Sequence, residues 1–226
     1  MLAYISENAD KRILDALKQE GFEVKPLAPF DALSYPVDTH ADMLLLNIEN
    51  TLFLHCDYKI QIIGFTNVIK IDEPISKKYP NDILLNIAIV GNHAFCNTKY
   101  ASKSALEYLT TSGVEIHHVQ QGYAHCSTCI VNENSLITAD VGIAQAAEKA
   151  GVDVLKINEG NISLPPYSYG FIGGSSGVFG NKIYFCGSLK FHPDGKRIRE
   201  FCESHEKHVI ELCDNPLSDV GGILFV

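Results

Sequence analysis

The feature that most constrains this chain is a local plan that recurs along it: an amphipathic helix, a glycine or polar turn, then a short β-type run. "ADKRILDALKQEGFEVKPL" puts Ile13, Leu14 and Leu17 on one helical face and stops at Gly21 before "FEVKPL". "YASKSALEYLTTSGVEIHHV" repeats it with Ala105, Leu106 and Leu109 and a stop at Gly113, and "ADVGIAQAAEKAGVDVLKI" with a stop at Gly151. "PDGKRIREFCESHEKHVIELC" is a further copy, with Ile198, Phe201 and Cys202 inward and a polar turn in place of glycine. Asp194 stands where the N-cap of that last helix is expected, and neighbouring His192 is given no catalytic role. Recurrence of one local plan predicts a repeat architecture whose units share a core.

Each helix is preceded by β-type runs around a polar turn, as in "CSTCIV-NEN-SLITAD", "SSGVF-GNK-IYFCG" and "DILLNIAIV-GN-HAFCN". "ADMLLLN-IEN-TLFLHC" is another such hairpin, but no convincing helix follows it. The N-terminal "LAYIS" lacks a partner, which the C-terminal "GGILFV" can supply. The chain therefore divides into strand-strand-helix-strand units at 215–226 with 1–27, then about 28–79, 80–119, 120–157 and 158–214, within one domain spanning 1–226. This arrangement resembles the pentein family of guanidino-group-modifying enzymes, which implies an α/β propeller with a pseudo-fivefold axis. The competing layout is an ordinary doubly wound α/β domain. Abundant tight hairpins count against it, because parallel sheets need crossover connections.

Composition narrows the partners. Lys and Arg number 18 against 27 Asp and Glu, a formal charge of −9, the wrong sign for a phosphate-binding surface, so nucleic acid is not expected. Hydrophobic residues make up 46% of the chain, enough for a sizeable core. No apolar run approaches the roughly 18 residues of a membrane span, so no membrane partner is expected either. "MLAYISENADKRIL" lacks a basic region followed by an apolar one, and the seven cysteines lie within apolar segments. These features predict a cytoplasmic protein with reduced thiols and no disulfides.

The resemblance directs attention to the residues just upstream of each hairpin, where a pentein gathers its units at one mouth of the axis. They are His40 and Asp42 in "THADM", Asp82 in "PND", His125 and Cys126 in "AHCS", Gly173 and Gly174 in "GGSS", and Asp219 with Gly221 and Gly222 in "SDVGG". If His40 and Asp42 lie on a strand, their spacing puts them on one face. Pentein hydrolases carry a similar His-x-Asp, which implies an imidazole acting as general acid/base and a carboxylate holding a guanidinium. The same resemblance makes Asp82 and Asp219 further acceptors and makes the paired glycines a close backbone approach to a ligand. A strand-end His and Asp that only cap the backbone are an equal alternative.

Cys126 and Cys129 are three apart, so an extended strand sends them to opposite faces, which disfavours a shared zinc; His117 and His118 are separated in the same way. Cys129 reads as a small core residue, and Cys126 either as another or as a site thiol. Pentein hydrolases place their nucleophilic cysteine near the C-terminus, where this chain has "DVGGILFV" and no thiol. No cofactor and no metal are expected. Two functions stay open: Cys/His chemistry on a small guanidine-like cation, or a non-catalytic binding or protein-interaction role on the same fold.

Overall fold

The computed structural model describes residues 1–226. Its strands form five separate three-stranded sheets, each with an antiparallel and a parallel pair. In the first, β1 (Leu2–Ser6) is the middle strand, with β2 (Glu23–Leu27) parallel on one side and β15 (Leu224–Phe225) antiparallel on the other. The chain ends are stitched there: Leu2 N donates to Val226 O at 2.7 Å, and Val226 N to Leu2 O at 3.0 Å. The remaining sheets are β3 (Leu46–Ile48), β4 (Thr51–His55) and β5 (Asn67–Ile71); β6 (Ala88–Val90), β7 (His93–Cys96) and β8 (Glu115–His118); β9 (Thr128–Asn132), β10 (Ser135–Thr138) and β11 (Asp153–Lys156); and β12 (Ser176–Phe179), β13 (Lys182–Phe185) and β14 (His208–Glu211). These are the five units that the repeats predict, in the α/β propeller that the pentein resemblance implies.

Helices α1 (Lys11–Gln19), α3 (Lys103–Thr111), α4 (Val141–Lys149) and α5 (Gly195–Ser204) make the crossover that each parallel pair requires. Asp10, Ser102 and Asp140 cap the first three, each accepting from a first-turn amide. Gly21, Gly113 and Gly151 end them at positive φ. Asp194 occupies the N-cap of α5 without capping it; its carboxylate accepts from Asn158 N and Arg197 instead. The second unit has no crossover helix. Its 56–66 segment is held in place by Tyr4, whose hydroxyl donates to Ile63 O and accepts from Ile63 N, and by Ile60, Ile62 and Phe65 packing on the core.

The apolar core does not sit inside the units. Middle strand β1 alternates: Ala3 and Ile5 enter a cluster with Tyr184, Cys186 and Leu212 of the last unit, whereas Tyr4 enters one with Leu44, Leu52 and Leu54 of the second. The other clusters likewise join the second unit to the third, the third to the fourth and the fourth to the fifth. Every unit buries its apolar surface against two neighbours.

Candidate functional site

First strands β3, β6, β9, β12 and β15 surround the axis, and residues from all five units line a cavity of about 270 Å³ there. Leu46, Ile89, Ile130, Val178 and Leu224 make its apolar part; Asp42, Asn47 and His125 are among its polar residues. The turn ahead of each first strand carries the chemistry. His40 and Asp42 do not lie on a strand, contrary to the alternation argument: His40 is the extended N-cap of a short helix, α2 (Ala41–Leu44), and Asp42 is in its first turn. Asp42 N donates to Gly221 O at 3.0 Å, which ties this turn to the C-terminal one.

The structure brings His40, Asp42, Asp219 and Cys126 together. His40 Nδ1 is 3.7 Å from Asp219 Oδ1 and 4.0 Å from Asp42 Oδ1, and Asp42 and the Cys126 thiol perturb one another's ionisation directly. Asp219 is anchored, accepting from Gly221 N at 3.0 Å and from Phe171 N at 2.8 Å. Asp42 is not: neither of its oxygens has a protein hydrogen-bond partner with good geometry. At the centre is Asn86, 1% exposed. Its amide donates to Asp42 O and to Cys126 Sγ, both at 3.0 Å, and its Oδ1 accepts from His125 N at 2.7 Å. One side chain thus connects three units. The sequence reading missed it, although a lone asparagine in the apolar run "LLNIAIV" was a signal, since a buried amide must find partners.

Asp82 lies apart from the His40 group and accepts from the Tyr123 hydroxyl at 2.7 Å. Gly173 lines the cavity, and the Cβ side of both Gly173 and Gly174 is filled by protein. A Cβ on Gly173 would come within 2.3 Å of His125 O, and one on Gly174 within 2.0 Å of Asp219 Oδ1. Gly221 is at φ +77° with its α-carbon face against His40. Cys126 is in the turn before β9, not on the strand, and packs with Leu44 and Leu45, whereas Cys129 packs with Ile183 and Ile198 in another cluster.

Burial dominates the electrostatics. It pushes the Cys126 thiol well up, and the charges of Asp42 and Asp219 push it further, so the thiolate is disfavoured. Asp42 is pushed up to about 8 by burial and then by Asp219; burial carries Asp219 itself to about 6, against its two backbone hydrogen bonds. Burial also lowers His40 and His125 to about 4. The His40 contacts are longer than hydrogen bonds and the imidazole is neutral, so they are not an ion pair. His125 is part-exposed by surface area yet densely surrounded; its exposed part is cavity wall.

These shifts predict a stability profile. The buried carboxyls have folded pKa values above the unfolded 3.8, so the folded state holds extra protons and stability is lost as pH rises through the folded values. The lowered histidines act oppositely, losing stability as pH falls from 6.5 towards 4. Between pH 6.5 and 8 only Asp42 of these four still titrates, and stability should fall there. Urea midpoints across that interval should decline in the wild type and stay level in Asp42→Asn.

Residues 4–224 match the protein family described as "Family of unknown function (DUF6873)". The chain belongs to that family. No curated protein matches it. Among solved structures it is similar to a DDAH from Pseudomonas aeruginosa complexed with citrulline, at 12% identity and a TM-score of 0.53 over 93% of this chain and 91% of that one. An agmatine deiminase from C. jejuni is similar at 10% identity and a TM-score of 0.54, over 93% and 87% of the two chains. An amidinotransferase from Microseira wollei is similar at 10% and 0.52, over 89% and 72%. All are penteins, and this member of DUF6873 has their fold.

Proposed function

We propose that the axial cavity binds a small molecule with a planar cationic head, a guanidinium or amidinium, anchored by Asp42. One observation carries this reading. Asp42, Asn47 and His125 share the cavity wall, and Asp42 Oδ1 and Oδ2, Asn47 Oδ1 and His125 Nδ1 all lack a protein hydrogen-bond partner. Buried polar atoms are costly without partners, and a guanidinium brings a fork of N–H donors with a positive charge. That charge would offset the burial and the Asp219 field that disfavour ionised Asp42. The carboxyl oxygens are sealed behind the wall, so anchoring by Asp42 requires its side chain to turn into the cavity as the ligand seats. The guanidino chemistry of the structural neighbours supports the same ligand class.

A second reading, catalysis by Cys126, is favoured by the Asn86 amide at its sulfur and by its closeness to Asp42. In the free protein the thiol has no imidazole partner and a raised pKa, so this route needs the bound cation to stabilise the thiolate, with His40 as the proton carrier. Melting curves with arginine, agmatine, methylguanidine and benzamidine test both. A ligand at a hundredfold its Kd should stabilise the wild type by about 2.7 kcal/mol. Asp42→Asn should lose the shift and Cys126→Ser should keep it. Release of ammonia or amine by the wild type but not by Cys126→Ser would establish the catalytic reading; no shift with any of the four cations would overturn the binding site.

A further inference from the structure

The geometry points to a divalent transition-metal site on the flank of the third sheet, formed by His93, Glu115 and His117. β7 and β8 run parallel with His93 opposite Glu115 and Phe95 opposite His117, so alternation brings all three donor side chains to one face. His93 Nδ1 and His117 Nε2 are 3.0 Å apart. The two Glu115 oxygens reach one imidazole each, Oε2 to His93 and Oε1 to His117, both at 3.8 Å. Bonds of about 2.0–2.1 Å to a tetrahedral ion put neighbouring donor atoms roughly 3.3 Å apart. The trio brackets that spacing, and it closes with a small movement of the exposed glutamate.

The supports are unequal in a way that suits an ion. The imidazoles are 23% and 18% exposed and held, His117 by stacking on Phe95 at 5.0 Å, whereas Glu115 is 66% exposed and free to adjust. The solvent side leaves a fourth position for water. Two imidazoles and one carboxylate select zinc, cobalt or nickel over calcium or magnesium. His118 takes no part, since its Nδ1 is 2.8 Å from Thr98 Oγ1 and its Nε2 is 3.1 Å from Gln120 Nε2. Lys149 is close enough to His117 to oppose a bound cation. None of the three donors lines the axial cavity, so this site stands independently of the guanidine reading.

The alternative is an imidazole pair joined by one hydrogen bond, with Glu115 idle beside it. Cobalt(II) and zinc titrations of chelator-treated protein distinguish the two. One equivalent of cobalt should give a d–d spectrum without a sulfur charge-transfer band, and zinc should displace it. His93→Ala and His117→Ala should each weaken binding by at least about tenfold, as loss of even an outer partner does. His118→Ala should bind as the wild type does, and Lys149→Ala more tightly. In the wild type, zinc should move the imidazole NMR signals of His93 and His117 and leave those of His118, a readout that does not depend on any variant folding. No cobalt spectrum, unmoved imidazole signals, or equal uptake by wild type and the His93→Ala/His117→Ala double variant would overturn the site.

Discussion

Deletion of Ile223 to Val226 should abolish the folded state. β15 supplies the only antiparallel partner of β1 and closes the hydrogen bonds between Leu2 and Val226. Phe225 carries more than the backbone does: its ring is 4.7 Å from Phe22, 5.0 Å from Tyr184 and 5.8 Å from Phe179, at the joint between the first and last units. Phe→Ala in a core costs about 3–5 kcal/mol, and a native domain has only about 5–15 kcal/mol in hand. Removing Ile223, Leu224 and the strand as well should exhaust that margin. Circular dichroism should show loss of the cooperative melt, while Phe225→Ala should fold with a lowered midpoint. A truncated chain that melts like the wild type would mean that the ring closes without β15.

Asn86→Leu should be nearly as damaging despite its similar volume. It removes the acceptor of the part-buried His125 N and the donor to the buried Asp42 O, and adds nothing for them. A buried polar group left unpaired costs about 1–3 kcal/mol, so a loss of several kcal/mol is expected by urea denaturation. Asn86→Asp separates polarity from shape. It keeps the acceptor, loses the donors and adds a charge beside Asp42, so its deficit should grow as pH rises. A neutral Asn86→Leu would show that this side chain does not hold the three turns together.

The propeller was legible because its signals are local. Helix faces such as Ile13 with Leu17, glycine stops and hairpin turns act over a few residues, and their recurrence carries the topology. The second unit was legible as an exception for the same reason, although the Tyr4 hydroxyl that organises it is 59 residues from its partner Ile63 and left no local trace. The site was legible only as a set of turns. His40, Asp42, Asp219 and Cys126 converge, but alternation misjudged how, because α2 replaces an expected strand and Cys126 precedes one. Asp82 turns to Tyr123, a choice set by tertiary packing. Asn86 and Asn47 were overlooked because a polar residue in an apolar run acquires meaning only when its partners, 39 to 44 residues away for Asn86, are in view.

Cores shared between neighbours give the molecule a circular grammar. Each apolar cluster is a joint between two units, whereas the chain ends meet inside one unit, as the paired strands β1 and β15, so the ring of joints runs on unbroken past them. A position in such a ring is defined by its unit and by its place relative to that unit's first strand; distance along the chain from either terminus carries no comparable meaning. The thiol beside Asp42 belongs to the fourth unit, the carboxylate facing His40 to the first, and the amide that joins the thiol to the Asp42 carbonyl to the third. Functional residues in rings of this kind are therefore to be matched by counting around the axis, so that a reactive group can move from one unit to another without leaving the place where the chemistry happens.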